Sequence, residues 1–294
     1  MANEMTSNSP PTGESSHGRP LSKVVALLVG EPRAPELWTL KKLAAASALH
    51  VVRAQDGTSV SAAERLQTLR RKHGVSGLAS RLIAKKLVVE RQERRQLQRL
   101  DQLLDGEHLR EWWQSSGITP VHVPHLNHAD ARSAIESLQP DIMVRVSGGI
   151  LKRETFSLAQ HSTLNIHHGQ APHIRGMWSI PWGIVEGRPE WIGATVHVID
   201  DGIDTGRVLW RGTPQLAPGD TGDELFFRAH LEAVDALVRV ILDYPQGTAP
   251  TALQTGAQGP SVYRSAPGLR PSLRYLRLGR GRRAPFILER AVKC

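Results

Sequence analysis

Residues 163–209 read TLNIHHGQAPHIRGMWSIPWGIVEGRPEWIGATVHVIDDGIDTGRVL. Two short apolar runs in this stretch each end in a polar, Gly- and Pro-punctuated turn, the pattern of strands that deliver side chains at their ends. The first, Thr163–His167, carries Asn165 and His167 two residues apart, so on a strand their side chains share one face. The second, ATVHVID from Ala194, empties into DDGIDTG and Asp204. Between them Ser179–Glu186 has the spacing of a short helix, and Arg207–Arg211 reads as a further strand. An amide, an imidazole and a carboxylate are thus brought to a turn-rich setting. Such a set can polarise a carbonyl, move a proton and orient a water, which acyl transfer to an amine requires.

Outward from this stretch, strand and helix signals alternate. Lys23–Val29 is a continuous apolar run ending at Gly30, a buried strand. Glu36–Ala46 reads as a helix, Leu49–Arg53 as a strand, Ile118–Val123 and Asp141–Val146 as strands, and Ala129–Leu138, Arg153–Gln160 and Gly222–Leu242 as helices. Residues about 59–114 are helical and charged, longer than one crossover needs, and read as a helical insertion broken near Gly74–Gly77. The expected fold is α/β: a Rossmann-like, doubly wound, mostly parallel sheet with a helical insertion and a short basic C-terminal extension. Ligands in such sheets bind at the carboxyl ends of strands. The expected organisation is a disordered leader (1–20), one domain (21–245) and the basic extension (246–294).

Composition narrows the function. The chain has 294 residues, 40% of them hydrophobic, and a formal charge of +9. Its single cysteine is Cys294, so it has neither a disulfide framework nor a thiolate metal cluster, which suits a reducing cytoplasm. The leader, MANEMTSNSPPTGESSHGRP, lacks the apolar core of a signal peptide, and no apolar run is long enough to span a membrane. Arg264–Lys293 holds nine Lys or Arg residues and one acid, Glu289, for a net charge of +8. A second basic zone lies between Arg65 and Arg110. These surfaces suit nucleic acid, nucleotides or acidic partners, but aromatic interleaving is thin (Tyr263, Tyr275, Phe286), and a solvated or disordered tail fits equally. The first strand is followed by GEPRAPEL, not a dinucleotide fingerprint, and there is no phosphate loop or HExxH helix. His161, His167, His168 and His173 raise a metal site, but adjacent strand residues point to opposite faces and no metal is expected.

Leu164–Leu209 resembles the formyltransferases that use 10-formyltetrahydrofolate, a family that includes glycinamide ribonucleotide transformylase, methionyl-tRNA formyltransferase and the sugar N-formyltransferases. Its usual signature is N-x-H, a PSLLP-like turn and R-G, then a T-V-H strand and D-x-G-x-D-T-G. Here the blocks read NIHHGQAPHIRG and TVHVIDDGIDTG. The resemblance is strong from about Gly117 to Leu242, weaker over the first two strands, and lost in the tail. It implies Asn165, His167 and Asp204 as catalytic residues. It also implies 10-formyltetrahydrofolate held against the backbone of Gly149, Ile150 and Leu151 and the turn of Asp200, Asp201, Gly202 and Ile203. HGQAP in place of PSLLP sets His168 and Gln170 beside the acceptor. Arg175 shapes the entrance, and Trp178, with Met177 and Trp182, offers an aromatic wall or core packing. His197 reads as a hydrogen-bonded core histidine.

The implied function is N-formylation of a small-molecule amine: an amino sugar on a nucleotide carrier, or an amino acid or hydroxylamine of specialised metabolism. The rivals are formylation of an aminoacyl-tRNA and a non-catalytic, nucleic-acid-binding scaffold of the same fold. About fifty residues after Leu242 are short for a folded tRNA-binding barrel, which ranks tRNA second. No membrane partner is expected, and the oligomeric state stays open between monomer and dimer.

Overall fold

The computed structural model describes residues 22–55, 62–244 and 261–291. The expected leader therefore lies outside the described residues. Along the chain run β1 (Lys23–Val29), α1 (Ala34–Ala46), β2 (Ala48–Ala54), α2 (Ala62–Ala84), a π-helical turn (Lys85–Val89), α3 (Glu90–Leu103) and α4 (Gly106–Ser115). Then come β3 (Val121–Val123), α5 (Ala129–Leu138), β4 (Ile142–Arg145), α6 (Arg153–Phe156), β5 (Ser162–His167), β6 (Ile174–Gly176) and α7 (Ser179–Glu186). The chain continues through β7 (Ala194–Val198), β8 (Val208–Gly212), α8 (Gly222–Asp243), β9 (Val262–Arg264), α9 (Leu269–Arg277) and α10 (Pro285–Ala291).

Val24–Leu28 of β1 is apolar and buried at every position. Such a run has no solvent face, so it demands a strand on each edge and helices above and below. The seven-stranded sheet supplies this in the order β3-β2-β1-β4-β5-β7-β8, parallel through β5 and antiparallel at β7 and β8. Alternate residues of β1 serve opposite layers. Val24 packs with Leu43 of α1 and Leu237 and Ile241 of α8. Val25 and Leu27 pack with Ala131 and Ile135 of α5. The strand order reverses between β1 and β4, and the crevice at their carboxyl ends is where an open α/β sheet offers a ligand site.

The helical insertion is α2, the π-helical turn, α3 and α4, all between β2 and β3. Its break is at Gly74, whose φ of 68° is left-handed. Leu104 and Leu109 anchor the end of the insertion on Ala34 and Leu37 of α1. Gln92 of α3 donates to Asp223 Oδ1 at the start of α8 (3.1 Å). The insertion thereby stands over the crevice.

The basic C-terminal segment is not a solvated tail over residues 261–291. β9 pairs in parallel with β6, and Tyr275, Ala284 and Ile287 are buried among Ile180, Ile184, Leu225 and Ala229 of α7 and α8. The arginines of α9 leave Ser272 and Tyr275, three apart, as its buried stripe. The Tyr275 ring is therefore a core element. Tyr275→Ala should cost about 3–5 kcal/mol in urea denaturation, as large-to-small changes of buried aromatics do. A loss below about 0.5 kcal/mol would mean a surface position.

Candidate active site

Sheet register assembles the first part of the site. Arg145 of β4 pairs with Asn165 of β5, and Asn165 with His197 of β7, so three polar side chains form one row across one face. Arg145 Nη1 donates to Asn165 Oδ1 at 2.7 Å, Nε donates to Gly149 O at 3.0 Å, and Nη2 donates to Gly148 O. Burial pushes the Arg145 guanidinium below its ordinary value and the Asp204 charge opposes this. With its oxygen toward Arg145, Asn165 turns its amide nitrogen to His197 Nε2 at 3.0 Å. His197 Nδ1 lies 2.9 Å from Val198 O, so Nδ1 carries the proton and Nε2 accepts. One of the two Asn165 N–H donors is thus spent on His197 and the second remains.

The turn after β7 supplies the second part. Asp200 Oδ1 accepts from Gly202 N (3.0 Å) and Thr205 Oγ1 (2.6 Å), an Asx turn that swings Asp204 back over the sheet in a left-handed conformation (φ 51°). Asp204 Oδ2 accepts from Gly176 N at 2.8 Å and faces His167 Nδ1 at 3.3 Å; Oδ1 is 3.5 Å from His197 Nε2. Burial pushes the Asp204 carboxyl up. The neighbouring His197 and His167 rings and the Gly176 N–H outweigh this and hold it well below the usual carboxylate range. His167 Nε2 lies 3.1 Å from Ile174 O and 3.3 Å from Ser179 Oγ. Burial pushes the His167 imidazole down, against the opposing pull of Asp204. Nδ1 thus faces the Asp204 carboxylate, and Nε2 faces both the Ile174 carbonyl and the Ser179 hydroxyl. Carboxylate and carbonyl oxygens only accept, so one at each ring nitrogen suits the imidazole when both nitrogens carry a proton. Gly169 presses on this pair: a Cβ there would lie 2.6 Å from both His167 Nε2 and Ser179 Cβ.

These groups floor a cleft of about 760 Å³, flanked on one side by Gly149, Ile150 and Leu151 and on the other by Asp200, Gly202 and Ile203. His168 and Trp178 also line it. His168 Nε2 meets His230 Nδ1 at 3.1 Å, and its ring stacks on Phe226 with centroids 4.0 Å apart. Trp178 caps α7 in a left-handed conformation, φ 63°. Three positions expected at the site are not among its lining residues. Asp201 pairs with Arg153. Gln170 is buried, its amide donating to Gly212 O (2.6 Å), Thr213 Oγ1 (2.9 Å) and the carbonyl of buried Ile192 (3.4 Å) rather than to the cleft. Arg175 holds Ser261 Oγ (2.8 Å) and Ile203 O (3.3 Å), bracing the turn rather than facing the cleft. Sequence reasoning missed Arg145, Ser179, Phe226 and His230. Only Arg145 leaves a signal, as a charge closing the apolar strand Ile142–Val144. Among the described residues no group of three or more His, Cys, Asp or Glu could hold a metal ion, and no helix is long and apolar enough to cross a membrane.

Residues 49–241 match the formyl transferase family. A methionyl-tRNA formyltransferase of Anaeromyxobacter dehalogenans is 30% identical over 159 residues, 52% of this chain and 51% of that protein. The chain spans about half the length of the curated relatives it matches. Among solved structures, a 4-N formyltransferase from Francisella tularensis superposes with a TM-score of 0.51 and 16% identity, covering 87% of each chain. A phosphoribosylglycinamide formyltransferase from Anaplasma phagocytophilum gives 0.50 and 17%, covering 83% of this chain and 98% of that one. At these identities the two structures share the fold.

The buried histidines carry a measurable consequence. Burial pushes His230 down to about 4, partly offset by its bond to Pro35 O, and pushes His168 well below its ordinary value. Below about pH 6.5 the unfolded chain binds protons that the folded chain refuses, so stability falls with pH. His230 alone should remove about 2 kcal/mol between about pH 7 and about pH 5. Urea denaturation at the two pH values should show this loss, and His230→Gln should reduce it. An unchanged slope in that variant would mean His230 titrates normally.

Proposed function

Because the chain belongs to the formyl transferase family, we propose that it is an N-formyltransferase acting on a small-molecule amine with 10-formyltetrahydrofolate as donor. The observation that carries this reading is the Asp204 carboxylate 3.3 Å from His167, with Ser179 in hydrogen-bond range of the same ring, set beside Asn165 on the floor of one cleft.

The cleft fits such a donor. Ile150, Met177 and Ile203 line it as exposed apolar side chains, a rim that a flat bicyclic ring would cover. Gly149–Leu151 and the Asp200–Ile203 turn would hold the ring. When bound, 10-formyltetrahydrofolate supplies the formyl group: its N10–carbon bond is exchanged for a bond from that carbon to the acceptor nitrogen, while the acceptor gives up a proton and N10 gains one. Asn165, its oxygen locked by Arg145, offers its second N–H to a carbonyl oxygen on which negative charge grows. His167 takes the proton at Nε2, with Ser179 as the hydroxyl through which it can pass. Asp204, held ionised, orients the ring through Nδ1 and stabilises the imidazolium that forms. His197 and Arg145 touch Asn165 and fix its orientation.

The small-molecule acceptor is supported by the C-terminal segment, whose described residues pack into the core of the domain. The names of the curated relatives favour aminoacyl-tRNA as the second reading. The single cysteine, Cys294, fits a reducing cytoplasm.

His167→Ala, Asn165→Ala and Asp204→Asn should each lower kcat by about a hundredfold or more while the circular dichroism spectrum stays native. Normal turnover by a folded His167→Ala protein would remove that residue from the chemistry. A folate analogue should quench the fluorescence of Trp178 on the cleft wall, and a Trp178→Phe protein should lose that part of the signal. Failure of any folate analogue to bind would sink the donor assignment.

A further inference from the structure

A second cavity of about 490 Å³ opens beside the first, a size within the roughly 300–1,000 Å³ of small-ligand sites. It occupies the crevice where the strand order reverses, between the start of α1 (Arg33, Pro35, Glu36) and Val146 after β4. Glu90, Glu93 and Arg94 of α3 wall it, so the helical insertion makes one side of it. Gln96, His168 and Phe226 line both cavities, which therefore meet at the His168 ring.

Hydrogen bonding fixes what that ring presents. Thr39 Oγ1 donates to Pro35 O (2.9 Å), and His230 Nε2 lies 3.1 Å from the same carbonyl, so His230 carries its proton on Nε2 and accepts at Nδ1. His168 Nε2 must then donate to His230 Nδ1. His168 Nδ1 is left as a lone pair, without a protein partner among the described residues, and it accepts an N–H.

The rim has its own charge pattern. Glu36 is committed to Arg33, through Nη2 (3.3 Å) and the backbone N–H (3.1 Å). Glu90, Glu93 and Arg94 make no ion pair among the described residues, which leaves two carboxylates and one guanidinium. Burial raises Glu93, only partly offset by a hydrogen bond from Trp178 and by the charges of Lys85 and Arg33, so a bound cation there would be favoured. A nucleoside diphosphate would bring its negative charge against two carboxylates. Resting on the formyl-transfer reading above, we propose that this cavity is the acceptor chamber and takes a small zwitterion, not a nucleotide: an amino acid whose ammonium meets Glu90 and Glu93, whose carboxylate meets Arg94, and whose distal amine or hydroxylamine nitrogen donates to His168 Nδ1 at the junction with the cleft. His168 is then a specificity residue that touches the acceptor, and His230 positions it.

Calorimetric titration of the full chain with L-ornithine, L-lysine, putrescine and UDP tests this. The two diamino acids should bind, putrescine more weakly for want of a carboxylate, and UDP not at all. Glu93→Gln with Glu90→Gln should weaken diamino-acid binding about tenfold or more and leave a folate analogue's affinity unchanged. Arg94→Gln should weaken the diamino acids but not putrescine. His230→Phe should raise KM for the diamino acid, and His230→Gln, which keeps an acceptor oxygen, should restore it. Binding of UDP in place of the diamino acids, or no diamino-acid binding at millimolar concentration, would overturn the chamber's assignment. Formylation of a nucleotide-linked amino sugar or of an aminoacyl-tRNA without diamino-acid binding would leave the formyl-transfer reading intact and sink this one. Glu93-dependent diamino-acid binding with no formyl transfer to any amine would instead overturn the transfer reading and, with it, the acceptor role.

Discussion

Burying the Asp204 carboxylate obliges the protein to surround it with donors, and those donors come from separate parts of the fold. A buried carboxylate left unpaired costs several kcal/mol. Here β6 supplies the Gly176 N–H and β5 supplies His167, while the His197 ring of β7 lies 3.5 Å away. β6 in turn is paired to β9 at the start of the C-terminal segment. One charge therefore holds the end of the sheet, the entrance turn and the last helices in a single arrangement. The sign of its effect is opposite to that of the histidines. A carboxyl held low contributes stability at every pH above its unfolded value, about 3.9, and loses it only in stronger acid.

The sheet was legible because its strands are short apolar runs closed by Gly, Pro or Asp, and the apolar interior of β1 already demanded two covered faces. Asn165, His167 and Asp204 were legible because they recur in two ordered blocks. Arg145 was hidden, since its place beside Asn165 depends on register between strands twenty residues apart. His230 and Phe226 reach the site from α8, 62 positions away in the case of the His168–His230 bond. Gln170 and Arg175 lie outside the cleft lining, although polar residues in a family-like loop suggest ligand contacts. Buried backbone carbonyls and an exposed turn claimed them first. β6 and β9 are three residues each, too short for a periodic signal, and arginine density obscured the apolar stripe of α9 and α10.

The insertion shows how a common sheet acquires an individual site. The strands fix the positions of Arg145, Asn165 and His167, and they would do so whatever lay between β2 and β3. α3 adds a wall of carboxylates and a guanidinium over the crevice without disturbing that frame. Selectivity written on an inserted helix can vary while the residues beneath it stay still.

Gly169 has a consequence for exchanging parts between proteins. The family's common PSLLP turn carries a serine where this chain has Gly169, yet here a single β-carbon would strike both the His167 ring and Ser179. The bare α-carbon, the histidine ring and the first residue of α7 thus form a matched set, shaped against one another at van der Waals range. A chimaera with its crossover between residues 169 and 179 would join halves that were never fitted together. Recombination that respects this protein's architecture has to carry the loop and the helix start as one cassette.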